Sequence, residues 1–419
     1  MSEFKEFKGT GVYWLPEIPN EWSMRRAWQL FSQRKTLGDS EAPALVPSRH
    51  YGVVTQEEYS KLANRKPTDN ERTKHMMTEV KPGDFVISMG SFESGIEFSQ
   101  IAGKVSNHYK VLVPHSGVIE GYFRWLFKSR PLIDGIAGLA VEIRVGQEIH
   151  YSKFAKLSLP LPPLATQQRI ADYLDRETAE IDAAVADLDR YVELLKKRRR
   201  AIAVSAIFPH GFPKNLLSAQ SYLDLGYNSV IRIGAFAKLR KTRNSDQDAQ
   251  YLSLMKGIGV ILYEEKGNVG NKKPQDLSDA FAVEAGDYLV NSMNFKIGSF
   301  GRSRYAGVAS AAYLIFSVDD NVVNPDFLQY VFENDDLRSQ AQNLGNGILE
   351  HRKSINWDRF RSIYLPHPSR EEQDAVVESL RKQTAEIDAL VEESTKLRNL
   401  LLKRRSVLIT EVVTGRKQV

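Results

Sequence analysis

The longest regular pattern of apolar positions along the chain recurs every seven residues. Leu174, Ile181, Leu188, Leu195 and Ile202 form one series, and Thr178, Val185 and Val192 fill the second position of the same seam. A second run repeats it with Leu380, Ile387, Ser394, Leu401 and Leu408, flanked by Val377, Thr384 and Val391. Seven-residue spacing keeps one stripe on one side of a slightly under-wound helix, so each run predicts a long coiled-coil helix, over 166–207 and 371–414. Ser394 is the polar break in the Leu/Ile series. A Pro-rich stop, Leu159-Pro160-Leu161-Pro162-Pro163, precedes the first helix, Thr166 is its expected N-cap, and Pro209 and Gly211 follow its end. Elsewhere the runs are shorter. Asp84-Phe85-Val86-Ile87-Ser88 and Asp287-Tyr288-Leu289-Val290-Asn291 read as strands entered through a Gly turn. Gly121 to Phe127 and Pro325 to Phe332 predict short helices with aromatic faces.

These elements occur twice. Thr178-Ala179-Glu180-Ile181-Asp182-Ala183 recurs as Thr384-Ala385-Glu386-Ile387-Asp388-Ala389, an offset of 206 residues. The same offset relates Leu159-Pro160 to Leu365-Pro366, Gln167 to Gln373, Lys197-Arg198-Arg199 to Lys403-Arg404-Arg405, and Arg34-Lys35-Thr36 to Arg240-Lys241-Thr242. Between these points it drifts by a few residues. Gly52-Val53-Val54 answers Gly259-Val260-Ile261, Gly83-Asp84-Phe85 answers Gly286-Asp287-Tyr288, and Gly103 and Ser106 answer Gly307 and Ser310. A drift that returns to its starting value means short compensating insertions within one shared fold. The expected organisation is therefore two globular domains of mixed α/β (α+β) class, 1–158 and 211–364. Each is followed by a long spacer helix, within 159–210 and 365–419.

Charge sets the expected orientation of the helices. Residues 166–193 carry eight acids and three bases, and 194–207 carry five bases and no acid. Residues 371–393 carry eight acids and two bases, and 394–410 five bases and no acid. Each helix is acidic at its start and basic at its end, which suits its own macrodipole. Only antiparallel pairing sets each acidic half beside the other's basic half. That arrangement predicts an internal pseudo-two-fold repeat, with two similar units inverted at the ends of a ruler roughly 60 Å long. One turn of duplex DNA is about 34 Å, so two such units suit a split, asymmetric DNA site.

Composition narrows the classes. The 419 residues are 42% hydrophobic and 26% charged, ordinary for a globular chain. The absence of Cys excludes disulfides and thiolate metal sites, and the eight His show no ligand-spaced cluster. The polar start does not read as a signal peptide, and no run approaches the ~18 apolar residues of a membrane span, so a cytoplasmic location is expected. A net charge of +5 permits a polyanionic partner without demanding one.

With these features together, the chain resembles the specificity subunit of type I restriction-modification systems along essentially its whole length. Gly11-Val12-Tyr13-Trp14-Leu15-Pro16-Glu17-Ile18-Pro19-Asn20-Glu21-Trp22 is similar to the family's entry motif. The stretch from Leu159 to Ala171, then Thr178 to Asp182 and the Leu-Leu-Lys-Lys-Arg-Arg run at 194–199, resembles its entry into the spacer helix. Val86 to Ile96 and Val290 to Asn294 resemble its strand-loop elements, although Gly90 stands where many members have Arg. The resemblance implies two target-recognition domains, each reading one half of a bipartite site. It implies two partner modification subunits that bind S-adenosylmethionine and methylate adenine, and restriction subunits using ATP and Mg. This chain itself is then expected to hold no cofactor or metal.

Base readout needs forked donors on a rigid loop or helix. The candidates are Arg49, His50 and Tyr51 after Ser48, and Ser91 and Phe92, in the first unit. In the second they are Lys256, Asn294, Lys296, Arg302 and Arg304. Arg34, Lys35, Arg240 and Lys241 recur in both units. Units that read different bases would share phosphate or fold contacts rather than readout, so these four are candidates for phosphate contact or for a role in the fold. The alternative for all of them is solvated surface. Gln167, Arg169 and Gln373, at the helix starts, are candidates for meeting the modification subunits or for local capping.

The rival classes are a stand-alone methyltransferase or nuclease, and a coiled-coil scaffold with no DNA role. Asn324-Pro325-Asp326-Phe327 lacks the second Pro of an amino-methyltransferase loop, and Gly257-Ile258-Gly259 lacks the third Gly and acid of a nucleotide fingerprint. Gly267 to Lys272 lacks Walker spacing, and no Glu-x-Lys nuclease motif follows a Pro-Asp. The divergent globular part before each helix argues against a pure scaffold.

Overall fold

The computed structural model describes residues 6–49, 51–63, 76–87, 95–137, 141–143, 146–267, 272–346 and 353–419. They form two compact units, one of Met1–Asp189 with Lys396–Val419 and the other of Arg190–Thr395. This division differs from the linear one expected from the sequence. Each long helix is shared between the units, because each half packs where its oppositely charged partner lies.

In the first unit, β1 (Phe31–Gln33), β5 (Phe85–Ile87), β6 (Glu97–Phe98) and β8 (Lys110–Pro114) make a four-stranded antiparallel sheet in the order β1-β8-β5-β6. β2 (Leu45–Ser48) and β3 (Gly52–Thr55) form a hairpin, and β4 (Thr78–Val80) pairs with β7 (Gly103–Val105). Helix α1 (Glu120–Leu126) follows, and α2 (Leu164–Ile207) is the first long helix. Strand alternation gives the sheet two covered faces. Phe85, Ile87 and Leu112 enter the main core with Phe123 and Phe127 of the α1 region. Val86 and Val111 point the other way, where Leu45 and Val53 of the hairpin cover them.

The second unit repeats this. β9 (Ala237–Leu239), β13 (Tyr288–Asn291), β14 (Phe300–Arg302) and β16 (Tyr313–Val318) lie in the order β9-β16-β13-β14. β10 (Leu252–Met255) and β11 (Gly259–Leu262) form the hairpin, and β12 (Phe281–Val283) pairs with β15 (Gly307–Ala309). Leu252 of the hairpin packs with Leu289 and Ile315 on the sheet's second face. Helices α3 (Pro325–Phe332), α4 (Asp335–Asn343) and the second long helix α5 (Arg370–Val413) complete it. The mixed class and the internal repeat stand as expected, in the α+β form, because every strand ladder among the described residues is antiparallel.

The heptad seam is buried at Leu174, Thr178, Ile181 and Leu195, and at Leu380, Thr384, Ile387, Ser394 and Leu408. In the first unit Asp182 pairs with Arg405 at 2.8 Å and Asp189 with Arg398 at 2.6 Å, so advancing seven residues on α2 retreats seven on α5. The helices run antiparallel. In the second unit Arg199 pairs with Asp388 at 2.8 Å, the same pair with the helices exchanged. Arg405 also lies over the Trp125 ring at 5.5 Å, and Arg199 over Tyr330 at 5.9 Å, so both arginines link the helix pair to the short helix region of their unit. Helix α2 begins at Leu164, two residues before the expected Thr166 cap, and the Pro163 carbonyl accepts from the Thr166 and Gln167 N–H groups at 2.9 Å each. Helix α5 opens on a capping box instead: Ser369 N–H donates to Glu372 Oε2 at 2.7 Å, and Glu372 N–H to Ser369 Oγ at 3.3 Å.

Gln167 and Gln373 are buried at these starts. Gln167 Oε1 accepts from Ile119 N–H at 2.8 Å, while its Nε2 donates to the Gly117 and Pro162 carbonyls at 3.1 and 2.9 Å. Gln373 Oε1 accepts from Asn324 N–H at 2.8 Å, and its Nε2 donates to the Val322 and Pro368 carbonyls at 3.4 and 3.0 Å. Each glutamine is thus a staple between a long helix and the loop entering α1 or α3. Gln167→Ala and Gln373→Ala should each cost about 1–3 kcal/mol, because they leave buried backbone groups unpaired. Urea unfolding checks this, and unchanged stability would contradict a staple.

Candidate nucleic-acid interface

The repeated Arg and Gly-Asp positions meet at the foot of the sheet. Asp84 and Asp287, at the entry to β5 and β13, are buried. Each accepts from its own turn, from Lys81 N–H at 2.7 Å and from Glu284 N–H at 2.8 Å. Arg34 then donates to both oxygens of Asp84, Nε at 3.0 Å and Nη2 at 2.8 Å. Arg240 does the same to Asp287 at 2.7 and 3.1 Å and reaches Glu284 at 2.8 Å. The hydrogen bond to Asp287 holds the Arg240 guanidinium above its ordinary pKa. These two arginines are engaged inside the fold, which corrects their candidacy for phosphate contact: they neutralise a buried carboxylate that fixes where the strand begins. Their neighbours Lys35 and Lys241 are exposed and keep the electrostatic role available.

The hairpin tips are equivalent. Ser48 pairs with Gly52 and Met255 with Gly259, so each tip holds three residues, 49–51 and 256–258. Gly52, Gly257 and Gly259 have φ of 69°, 72° and 94°, the left-handed region these tight tips need. Arg49 and Lys256 occupy matching exposed positions at the start of each tip. Tyr51 is partly exposed, its hydroxyl donates to the Leu62 carbonyl at 3.1 Å, and its ring meets Tyr59 edge-on. His50, Ser91 and Phe92 lie outside the described residues.

In the second unit the tip abuts the loop that joins β13 to β14. Gly257 N–H donates to the Gly298 carbonyl at 3.3 Å. This brings Lys256 into one neighbourhood with Asn294 and Lys296, all exposed. The loop is buttressed by buried Gln342 on α4, whose Nε2 donates to the Ser292 carbonyl at 2.9 Å. Arg302 and Arg304 belong elsewhere. Arg302 pairs with Tyr288 in the ladder, at the end of the β13–β14 hairpin away from this loop, donates to the Gly286 carbonyl at 3.1 Å and forms an ion pair with Asp320 at 2.7 Å. Arg304 is exposed beyond it.

Three further expectations resolve in the same way. Buried Gln167 and Gln373 take the local alternative and not the subunit contact, while Arg169 is exposed and its Nη2 donates to Thr166 Oγ1 at 3.3 Å. Asn324, the nearest approach to a methyltransferase loop, caps α3 by accepting from Asp326 and Phe327 N–H at 2.8 and 3.2 Å. Gly257 and Gly259 shape a hairpin tip. Among the described residues no group of His, Asp or Glu is placed to hold a metal ion. Among the described residues no helix is long and apolar enough to cross a membrane. Sequence reasoning missed Gln342, whose polar type gave no sign of burial, and the exposed apolar residues Ile258, Met293 and Ile297, interspersed among the cationic candidates.

Arg34→Ala and Arg240→Ala should each cost about 3–5 kcal/mol in urea unfolding by stranding a buried carboxylate. Lys35→Ala and Lys241→Ala should leave stability unchanged and each reduce the salt slope of DNA binding by about one. A flattened slope with full stability for the arginine variants would return them to the phosphate role.

A family model for the type I restriction modification DNA specificity domain matches residues 56–186. The putative type I restriction enzyme MjaX specificity subunit of Methanocaldococcus jannaschii is 24% identical over 337 residues, covering 74% of this chain and 71% of that protein. The StySPI specificity subunit of Salmonella potsdam is 22% identical over 335 residues, covering 74% and 70%. The EcoKI specificity subunit of Escherichia coli K12 is 26% identical over 140 residues, covering 31% and 29%. A chain from a solved structure concerning assembly and conformational transition of the type I R-M system superposes with a TM-score of 0.63 at 12% identity, covering 96% of this chain and 99% of that one, and so shares its fold. In its duplicated α+β unit, its long helices and these matches, this chain is similar to the specificity subunits of type I restriction-modification systems.

Proposed function

We propose that each unit reads one half of a two-part DNA site and that the paired helices set the distance between the halves. The observation that carries this reading is one frame used twice with different chemistry at equivalent tips. The strand order and the Arg–Asp lock are the same in both units. The tips read Arg49-His50-Tyr51 in one and Lys256-Gly257-Ile258 in the other. Residues common to both units suit positioning, and residues that differ suit discrimination. Selection is this chain's contribution. Methyl transfer to adenine from S-adenosylmethionine, and ATP- and Mg-dependent restriction, are assigned to partner subunits.

Exchanging residues 1–158 for the unit of a relative should change one half of the methylated sequence and leave the other intact. Mapping methylated adenines in cells carrying the exchange and its modification partner reads this directly. A change in both halves would contradict one unit per half-site.

The helices supply surfaces for two copies of one partner. Tyr191 and Leu194 on α2, and their repeat equivalents Leu397 and Leu400 on α5, are large apolar residues left exposed outside the seam. Apolar side chains recurring at equivalent exposed positions suit two identical modification subunits. Leu194→Lys combined with Leu400→Lys should abolish co-purification of the modification subunit while leaving the melting temperature within a few degrees. Retained co-purification would remove these residues from the docking surface.

A further inference from the structure

The loop face of the second unit has a composition that phosphate contact and polar readout do not explain. Ile258 is 68% exposed, Ile297 48% and Met293 46%. Single exposed apolar residues are ordinary. Here, however, three lie on two adjoining loops, flanking the hydrogen bond from Gly257 to Gly298. Lys256, Asn294 and Lys296 alternate with them along the chain, and neither 256–258 nor 292–299 contains an acid. The surface is cationic and apolar, and it is held from behind by Gln342. Its charge suits a polyanion, and its apolar part needs a partner on that polyanion.

Duplex DNA offers three kinds of apolar surface: sugar edges, base faces and the thymine C5 methyl. Base faces are reached only by unstacking, and they favour flat aromatic side chains, which these loops do not expose. Sugars line the backbone, where the lysines already suffice. The major groove admits a two-stranded β-ribbon, and the methyl of thymine is the apolar group displayed on its floor. β10 and β11 form such a ribbon, with four residues per strand and Ile258 in its three-residue tip. At the equivalent tip position the first unit has Tyr51.

We infer that the second unit reads thymine by its methyl group, with Ile258 and Ile297 packing on the C5 methyl while Lys256 and Lys296 hold the flanking phosphates. This rests on the proposal that the unit reads DNA. The half-site belonging to residues 211–364 then contains at least one A·T pair that is sensed through its methyl.

The test uses the complex of this chain with its modification subunit and a duplex carrying the methylated target. Thymine is replaced by uracil, which keeps every hydrogen-bonding group and removes only the methyl, in one half-site at a time. Affinity should fall about fourfold per sensed methyl in the half that follows residues 211–364 on domain exchange. Ile258→Ala should weaken binding to the thymine duplex and reduce the difference between thymine and uracil. Because Ile258 is mostly solvent-exposed, this variant leaves the fold intact, and the uracil comparison needs no variant at all. Equal affinity for thymine and uracil duplexes, undiminished uracil sensitivity in Ile258→Ala, or a half-site without A·T pairs would each overturn the inference while leaving DNA reading in place. Failure of the complex to bind the parent duplex would overturn the reading itself.

Discussion

An acidic-to-basic gradient along a helix can be complemented only by a copy of itself running the other way, and both units depend on that. The first half of α2 packs beside the last residues of α5 in one unit, and the converse holds in the other. The first unit is therefore built from two separate stretches of chain, and the second begins inside one long helix and ends inside the other. Burial of Leu174, Ile181, Leu380 and Ile387 supplies most of the favourable energy of the seam, at ~1.5–3 kcal/mol each before ordering costs. The charges contribute little individually. They determine orientation, because parallel pairing would set eight acids beside eight. Arg199 and Arg405 carry this into the globular parts, since each meets an aspartate of the opposite helix and an aromatic ring at the end of a short helix.

Much of this frame was legible in the sequence. Seven-residue spacing, charge sign and the 206-residue offset depend only on residue type and position, and they predicted the helices, their orientation and the duplication. The strands after Gly83 and Gly286 were legible because a turn residue stood before a short, continuous apolar run. Burial of polar side chains was not. Gln167 and Gln373 were left open between a subunit contact and local capping, although each lies seven before Leu174 or Leu380 and so extends the seam stripe by one position. The Arg–Asp locks had a signal too, since Asp84 and Asp287 recur along with Arg34 and Arg240, but pairing across about fifty residues follows from the fold and not from local pattern.

The candidate loops were legible as to place and less so as to chemistry. The tips at 49–51 and 256–258 and the loop at Asn294 and Lys296 were marked by glycines and cations between β-rich runs. Arg302 read as equally accessible, yet strand register puts it at the other end of its hairpin, against Asp320. Ile258 was weighed only within Gly257-Ile258-Gly259 and Ile297 was not singled out, because residue type alone does not mark an apolar side chain as exposed. Only the tip geometry, with Gly257 and Gly259 in the left-handed region, leaves Ile258 in solvent.

The repeat also shows which interactions could diverge. In the first unit Arg124 of α1 pairs with Asp175 of α2, and in the second Asp326 of α3 pairs with Arg381 of α5. Asp175 and Arg381 are equivalent positions, so the polarity has reversed. Exposed ion pairs contribute roughly 0–1 kcal/mol, and a chain passing through the unpaired intermediate loses little. The buried groups have no such route. Losing Gln373 strands the Asn324 N–H, and losing Arg240 strands the Asp287 carboxylate, at costs of about 1–3 and 3–5 kcal/mol. The glutamine staples and the Arg–Asp locks are accordingly the same in both units. The exposed pairs and the loop tips have diverged, and loop tips are where the proposed readers of different half-sites would have to differ.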